Sequence, residues 1–266
     1  MENKQGHLIQ EKLTLPSATA RLTRRRLLRV LDAHLASYNA TIVNGRAGTG
    51  KTVLAADFAR HVQRAVAWYK VDAADSDLRT FCEYLIETVR RLRPSIVPGR
   101  LLELARIIES VRAERLAEAF VFQLSEGHAE PLLIVIEDLH LVYDSDWVVP
   151  FFRRLLPLLP PDVHLLITCR SLPPAPLWRL RSKQMLRVVD EEELAFTVDE
   201  AIKLFENYGL SEEHARLAWH HNNRAAIIAD FAATPGRAGR AIADSLLSLD
   251  NSPLRMLSYR TPDYQT

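Results

Sequence analysis

The chain has 266 residues, 48% hydrophobic and 25% charged, the balance of an ordinary globular protein with room for one large domain and an appendage. A net charge of +1 removes any global electrostatic case for binding nucleic acid or an anionic membrane. Two cysteines, Cys82 and Cys169, are too few for a disulfide framework, MENKQGHLIQEK at the start lacks an apolar signal core, and no run reaches the roughly 18 apolar residues of a membrane span, so a reduced, cytoplasmic compartment is expected.

Residues 1–20 read as a loose lead-in. LTRRRLLRVLDAHLA (22–36) then places Leu27, Leu28, Leu31 and Leu35 at helical spacing. ATIVNG (40–45) is a short apolar strand entering a glycine-containing loop, and TVLAADFARHV (52–62) continues as a helix. AVAWYKVD (65–72) predicts a second strand whose Trp68 and Tyr69 go to the core. DSDLRTFCEYLIETVRRLRP (75–94) opens on capping residues and closes at Pro94, so it predicts a helix carrying a buried Cys82. Asp72, Asp75 and Asp77 are expected to cap and turn, because a calcium loop needs a fuller ligand pattern with glycine at its sixth position.

Another amphipathic helix is expected over 100–125, and PLLIVIED (131–138) is a continuous apolar strand of the kind buried on both faces. WVVPFFRRLLPLLP (147–160) predicts a helix with proline breaks. DVHLLITCR (162–170) and QMLRVVD (184–190) predict a fourth and a fifth strand. Strands alternating with helices imply a parallel sheet with right-handed crossovers. Beyond about residue 197 the pattern is helical only: TVDEAIKLFENYG, SEEHARLAWHHNN and RAAIIADFAAT. The expected organisation is a lead-in (1–20), a nucleotide-binding domain (21–197), a helical lid (198–248) and a disordered tail (249–266).

The chemistry concentrates in VNGRAGTGKT, where Gly45, Arg46, Ala47, Gly48, Thr49, Gly50, Lys51 and Thr52 form the phosphate-loop pattern between a strand and a helix, with Val53 next on the helix. Glycines let successive N–H groups point at phosphate oxygens, and the helix N-terminus adds partial positive charge. Lys51 can reach the β- and γ-phosphates of ATP, and the Thr52 hydroxyl can ligate Mg2+. Glu137 and Asp138 emerge at the end of the third strand, the place of a Walker B-type carboxylate pair. Glu137 is assigned to the metal and Asp138 to polarising the attacking water, an order the sequence leaves open, so Asp138 stands as a metal candidate too. Thr168 and Arg170, in TCR at the end of the fourth strand, are read as a sensing hydroxyl and a charge on the terminal phosphate.

Weaker features carry little. RRR at 24–26 is a solvated helix start rather than a nucleic-acid patch, and no direct DNA binding by this chain is expected. His214, His220 and His221 lack the companions of a zinc set.

RLTRRRLLRVLDAHLA, AVAWYKVDAADSDLRTFCEYLIETV, LLIVIEDLHLV and LLPPDVHLLITCRSLPPAPLWRLRSKQ occur in this order over roughly residues 12–230. Together they resemble the ATPase module of the large LuxR-like, maltose-activator-type transcriptional regulators, which belong to the STAND class of P-loop ATPases. The resemblance implies an α/β P-loop NTPase fold with a five-stranded parallel sheet flanked by helices, a small helical lid after it, and ATP held between them. It also implies that Arg24 lies near the adenine, that Arg170 reads the γ-phosphate, and that ATP and ADP set two states with slow turnover. Two departures stand out. HNNRAAII (221–228) lacks the glycine and proline of the family's lid motif, and the sensor repeats and helix-turn-helix domain are absent from these 266 residues.

The leading expectation is therefore a cytoplasmic ATP-binding switch with slow Mg2+-dependent hydrolysis, acting with a protein partner or by self-association and without a membrane. A nucleotide-binding module without turnover is the alternative. A P-loop kinase ranks last, because residues 198–233 hold only Arg216 and Arg224 for an arginine-lined lid.

Overall fold

Five short runs rich in Ile, Val and Leu form the strands: β1 (Ala40–Asn44), β2 (Ala65–Lys70), β3 (Leu132–Glu137), β4 (Val163–Cys169) and β5 (Leu186–Val189). The computed structural model describes residues 8–17, 20–99, 101, 112–126 and 130–221. The strands make one parallel sheet in the order β2-β3-β4-β1-β5. Every residue of β3 and β4 is buried, which is why neither run alternates with polar residues. Their side chains still alternate between faces. Leu133, Val135 and Leu166 pack on one side, and Leu132, Ile134, Ile136, Leu165 and Ile167 on the other.

Helices cover both faces. Leu27 and Leu31 of α1 (Arg25–Ser37) and Leu54, Ala55 and Phe58 of α2 (Lys51–His61) pack on the Leu133–Val135 side. α3 (Leu78–Arg90), α4 (Arg112–Ser125) and α5 (Val148–Leu158) cover the other side through Phe81, Leu85, Phe120, Phe151 and Phe152. A short α6 (Ala175–Trp178) precedes β5. Trp68, Tyr69 and Cys82 are core residues, as expected.

Two local expectations change. The prolines near 147–160 do not break α5: Pro150 falls in its first turn, where an amide has no helical partner to lose, and Pro157 stands one residue before its end. Nor is the described part of the lead-in loose. Gln10–Leu13 forms a 3-10 turn with Leu13 in the core, and the Lys12 ammonium lies 2.8 Å from Asp72 and 2.7 Å from Asp75, over the Tyr84 ring at 4.4 Å. Asp72 and Asp75 also form the capping box of the turn Ala73–Ser76, and Asp77 caps α3 through the Thr80 amide. Composition marked these acids as caps but did not mark Asp75 as a fully buried ion-pair partner.

A second buried polar cluster lies at the base of β1 and β4. The Thr41 hydroxyl is 3.3 Å from His34 Nδ1 and 3.0 Å from His164 Nε2, and His164 Nδ1 faces the Tyr38 carbonyl at 2.9 Å. That carbonyl can only accept, so His164 Nδ1 carries the proton and its Nε2 accepts from Thr41. Burial drops both histidines to about 4, with Arg187 adding to the shift at His34; at His164, Tyr38 opposes it and Arg64 and His34 add to it.

The chain forms two compact units, Met1–Ala195 and Phe196–Thr266. In the second, α7 (Val198–Glu206) begins on a Thr197–Glu200 capping box and packs against α8 (Glu212–His221), with Gly209 turning between them at φ +70°. Trp219 Nε1 donates to the Phe196 carbonyl at 2.7 Å. The altered lid motif, apart from the backbone of His221, the run RAAIIADFAAT and the tail 249–266 lie outside the described residues. Among the described residues no helix is long and apolar enough to cross a membrane.

Two outcomes follow. Lys12→Met removes the ammonium that faces the fully buried Asp75, so urea unfolding should show a loss of about 3 kcal/mol. The histidine pair makes stability depend on pH. Each folded value, about 4, lies below the unfolded 6.5, so the unfolded chain binds more protons between them. Stability should hold above pH 6.5 and decline as pH falls toward 4, with a shallower decline in His164→Gln, as read from urea midpoints across that range.

Candidate functional site

Because β4 lies between β1 and β3, the carboxyl ends of all three stand side by side. The loop after β1 therefore meets the acidic end of β3 and the Thr168–Arg170 end of β4. The loop runs from Gly45 to Gly50, and α2 begins at Lys51. Gly48 and Gly50 hold φ of +77° and +80°, a region that penalises a β-carbon. Gly45 is required for a different reason: a Cβ there would stand 2.9 Å from Thr49 Oγ1 and 3.2 Å from Leu194 Cδ1.

Lys51 is buried at the head of α2, and its ammonium donates to the Arg46 carbonyl at 2.7 Å. Burial lowers it below its ordinary value; Asp138 opposes the shift and Arg170 adds to it. The Thr49 hydroxyl donates to the same carbonyl at 2.9 Å. The Arg46 side chain is exposed and lies 3.5 Å from Glu191, while Ala47 and Val53 are open to solvent.

The β3 end is more constrained. Glu137 is 2% exposed, its Oε1 accepts from the Thr52 hydroxyl, and its Oε2 is buried with no hydrogen-bond partner among the described residues. Asp138 adopts the left-handed conformation (φ 59°, ψ 34°), and its N–H donates to Thr168 Oγ1 at 3.0 Å. Its carboxylate lies 3.8 Å from Arg170 Nε and 3.8 Å from His140 Nδ1. Burial lowers His140 below its ordinary value; Asp138 opposes this, and Arg170 and Lys51 reinforce it. The imidazole thus tends to the neutral form inside a ring of charges.

The structure brings Gly45–Thr52, Glu137, Asp138, Thr168 and Arg170 into one place. Arg24 stands to one side: its guanidinium donates to the Ala195 carbonyl at 2.9 Å, beside Arg26, which donates to the carbonyls of Glu193 and Ala195. The turn they hold carries Leu194 to Gly45 and Glu191 to Arg46. Sequence reasoning singled out neither this turn nor His140. His140 had a signal, standing two residues after Asp138 in EDLH; the turn had none, because its contact with the loop depends on β5 pairing with β1.

The arrangement suits phosphate. The loop offers amides at a helix start, with one buried cation. The Thr52 hydroxyl with Glu137 and its unpartnered Oε2 form a hard-oxygen set that fits Mg2+, which takes one or two carboxylates together with phosphate and water. No group of three His, Cys, Asp or Glu among the described residues forms a self-sufficient metal cage.

Comparison with known proteins agrees. The family described as the AAA ATPase domain matches residues 21–168. The HTH-type transcriptional regulator MalT of Serratia proteamaculans is 33% identical over 200 residues, 75% of this chain and 22% of that protein. MalT of Vibrio cholerae is 28% identical over 202 residues, 74% of this chain and 21% of that protein. The chain thus spans about a fifth of the length of these relatives. A Walker-type ATPase of Pyrococcus abyssi superposes with a TM-score of 0.52 at 15% identity, covering 86% of this chain and 72% of that one, which shows a shared fold.

Thr52→Val should leave both Glu137 oxygens without a partner and cost roughly 1–3 kcal/mol of stability without nucleotide. In a Glu137→Gln background the same change should cost less, and a urea-unfolding double-mutant cycle measures the difference.

Proposed function

The chain belongs to the AAA ATPase domain family, and on that premise we propose that it is a STAND-type regulatory module that changes state with bound ATP or ADP and hydrolyses ATP slowly. The observation that carries the reading is the bond from Thr52 of the phosphate loop to the buried Glu137, which leaves one carboxylate oxygen without a hydrogen-bond partner among the described residues. The amides of Gly45–Thr52 bind the phosphates, and Lys51 holds the β/γ charge. Thr52 and Glu137 would hold Mg2+, which when bound neutralises phosphate charge. Asp138 orients and polarises the attacking water, and Arg170 meets the charge of the terminal phosphate. Arg24, through the turn at Ala195, belongs to the nucleotide's surroundings rather than to the chemistry.

The similarity to MalT regulators supports a place in signal transduction or transcription control, with a protein partner or a second copy receiving the nucleotide state. Cytoplasmic location is part of the proposal and rests on two buried, unpaired thiols, Cys82 and Cys169. One observation favours the second reading, a binder without turnover: the Asp138 carboxylate already lies 3.8 Å from Arg170 and 3.8 Å from His140, side chains that compete with a water for it.

Calorimetric titration of ATP and ADP with Mg2+ tests the site. Lys51→Ala should weaken both nucleotides tenfold or more, about 1.4 kcal/mol; unchanged binding sinks the assignment. Turnover then separates the readings. Asp138→Asn should abolish hydrolysis with ATP still bound, whereas a wild type that binds ATP and turns over no faster than the variant's background establishes the binder.

A further inference from the structure

The ladder between β3 and β4 stops at Ile136 opposite Ile167, one residue short of the acidic pair. Beyond it the chain leaves the sheet through Asp138, whose positive φ is unfavourable for a residue with a β-carbon. Neighbouring groups must hold such a conformation in place. Here the Asp138 carbonyl accepts from Leu141 N–H at 3.1 Å, the Glu137 carbonyl accepts from Val71 N–H at 2.9 Å, and the Asp138 N–H donates to the Thr168 hydroxyl at 3.0 Å. The last bond replaces the backbone ladder with a side chain at the point where β3 must turn out of plane. Thr168 has no exposed surface, so its hydroxyl meets Asp138 beneath the site and has no open face for a phosphate.

We infer that Thr168 is a positioning residue for hydrolysis, which holds the Asp138 backbone in the left-handed turn that aims its carboxylate, and does not read the nucleotide itself. This rests on the reading of Asp138 as the residue that polarises water. On its other side Thr168 lies opposite Val43, the residue before Asn44 at the end of β1. One residue therefore joins the strand that feeds the phosphate loop to the strand end that carries the carboxylate.

The test uses the full chain as Thr168→Val, which keeps shape and strand preference but removes the acceptor, and Thr168→Ser, which keeps the hydroxyl. In Thr168→Val, ATP turnover should fall tenfold or more while Mg-ATP affinity by calorimetry stays within twofold. The Asp138 amide should exchange with solvent about tenfold faster by NMR. Thr168→Ser should restore both. Unchanged amide exchange or unchanged turnover in Thr168→Val overturns the inference, as does an equal loss of affinity and turnover, the result expected of a nucleotide-sensing hydroxyl. Asp138→Asn hydrolysing like the wild type, or a wild type without turnover, defeats the functional reading and this inference with it. Asp138→Asn inactive beside a fully active Thr168→Val defeats this inference alone.

Discussion

Glu137 is a carboxylate with almost no access to water, and among the described residues the hydroxyl of Thr52 is the one group that hydrogen-bonds it. A buried carboxylate is tolerated only where its neighbours satisfy it. That requirement ties the end of β3 to the first turn of α2, and so sets the distance between the phosphate loop and the acidic pair. The rest of the site inherits its geometry from this tie. Lys51 precedes Thr52 and is drawn under the loop to the Arg46 carbonyl, and Asp138 follows Glu137 and turns out toward Arg170.

The sheet provides the frame in which that tie is possible. With β4 placed between β1 and β3, three strand ends that are distant in sequence share one edge. β4 touches both neighbours at that edge: the Gly45 amide donates to the Cys169 carbonyl, and the Thr168 hydroxyl accepts from Asp138. Away from the site, the unit closes its polar interior with matched groups. Lys12 lies between Asp72 and Asp75, and His34, Thr41 and His164 form a chain of bonds that requires a neutral His164. These clusters hold the lead-in segment and the base of β1 against the sheet.

Much of this was legible in the residues. β3 and β4 are unbroken apolar runs, and such runs have few alternatives to a strand buried on both faces. Gly48 and Gly50 mark positive φ, and their spacing to Lys51 and Thr52 marks a phosphate loop. Other features were illegible for definite reasons. Lys12 is a charged residue in a polar segment, and only the fold supplies two carboxylates and a ring face that make its burial tolerable. The Thr168 hydroxyl was assigned to phosphate because its strand end points at the site, yet hydrogen bonding depends on what lies beside it across the sheet.

By itself, the sequence determined the α/β class, the five strands, the phosphate loop and the presence of an acidic pair, because these follow from local rules: hydrophobic period, glycine conformation and residue spacing. Only the tertiary structure decided that Glu137 bonds Thr52 while Asp138 turns toward Arg170 and His140. It also decided that Arg24 and Arg26 hold the turn carrying Leu194 to Gly45, and that the Thr168 hydroxyl accepts from the Asp138 amide. Those pairings join residues up to 171 positions apart, and no local pattern encodes them. They exist because the strand order brings particular side chains within hydrogen-bond reach, where burial then requires each polar group to find a partner.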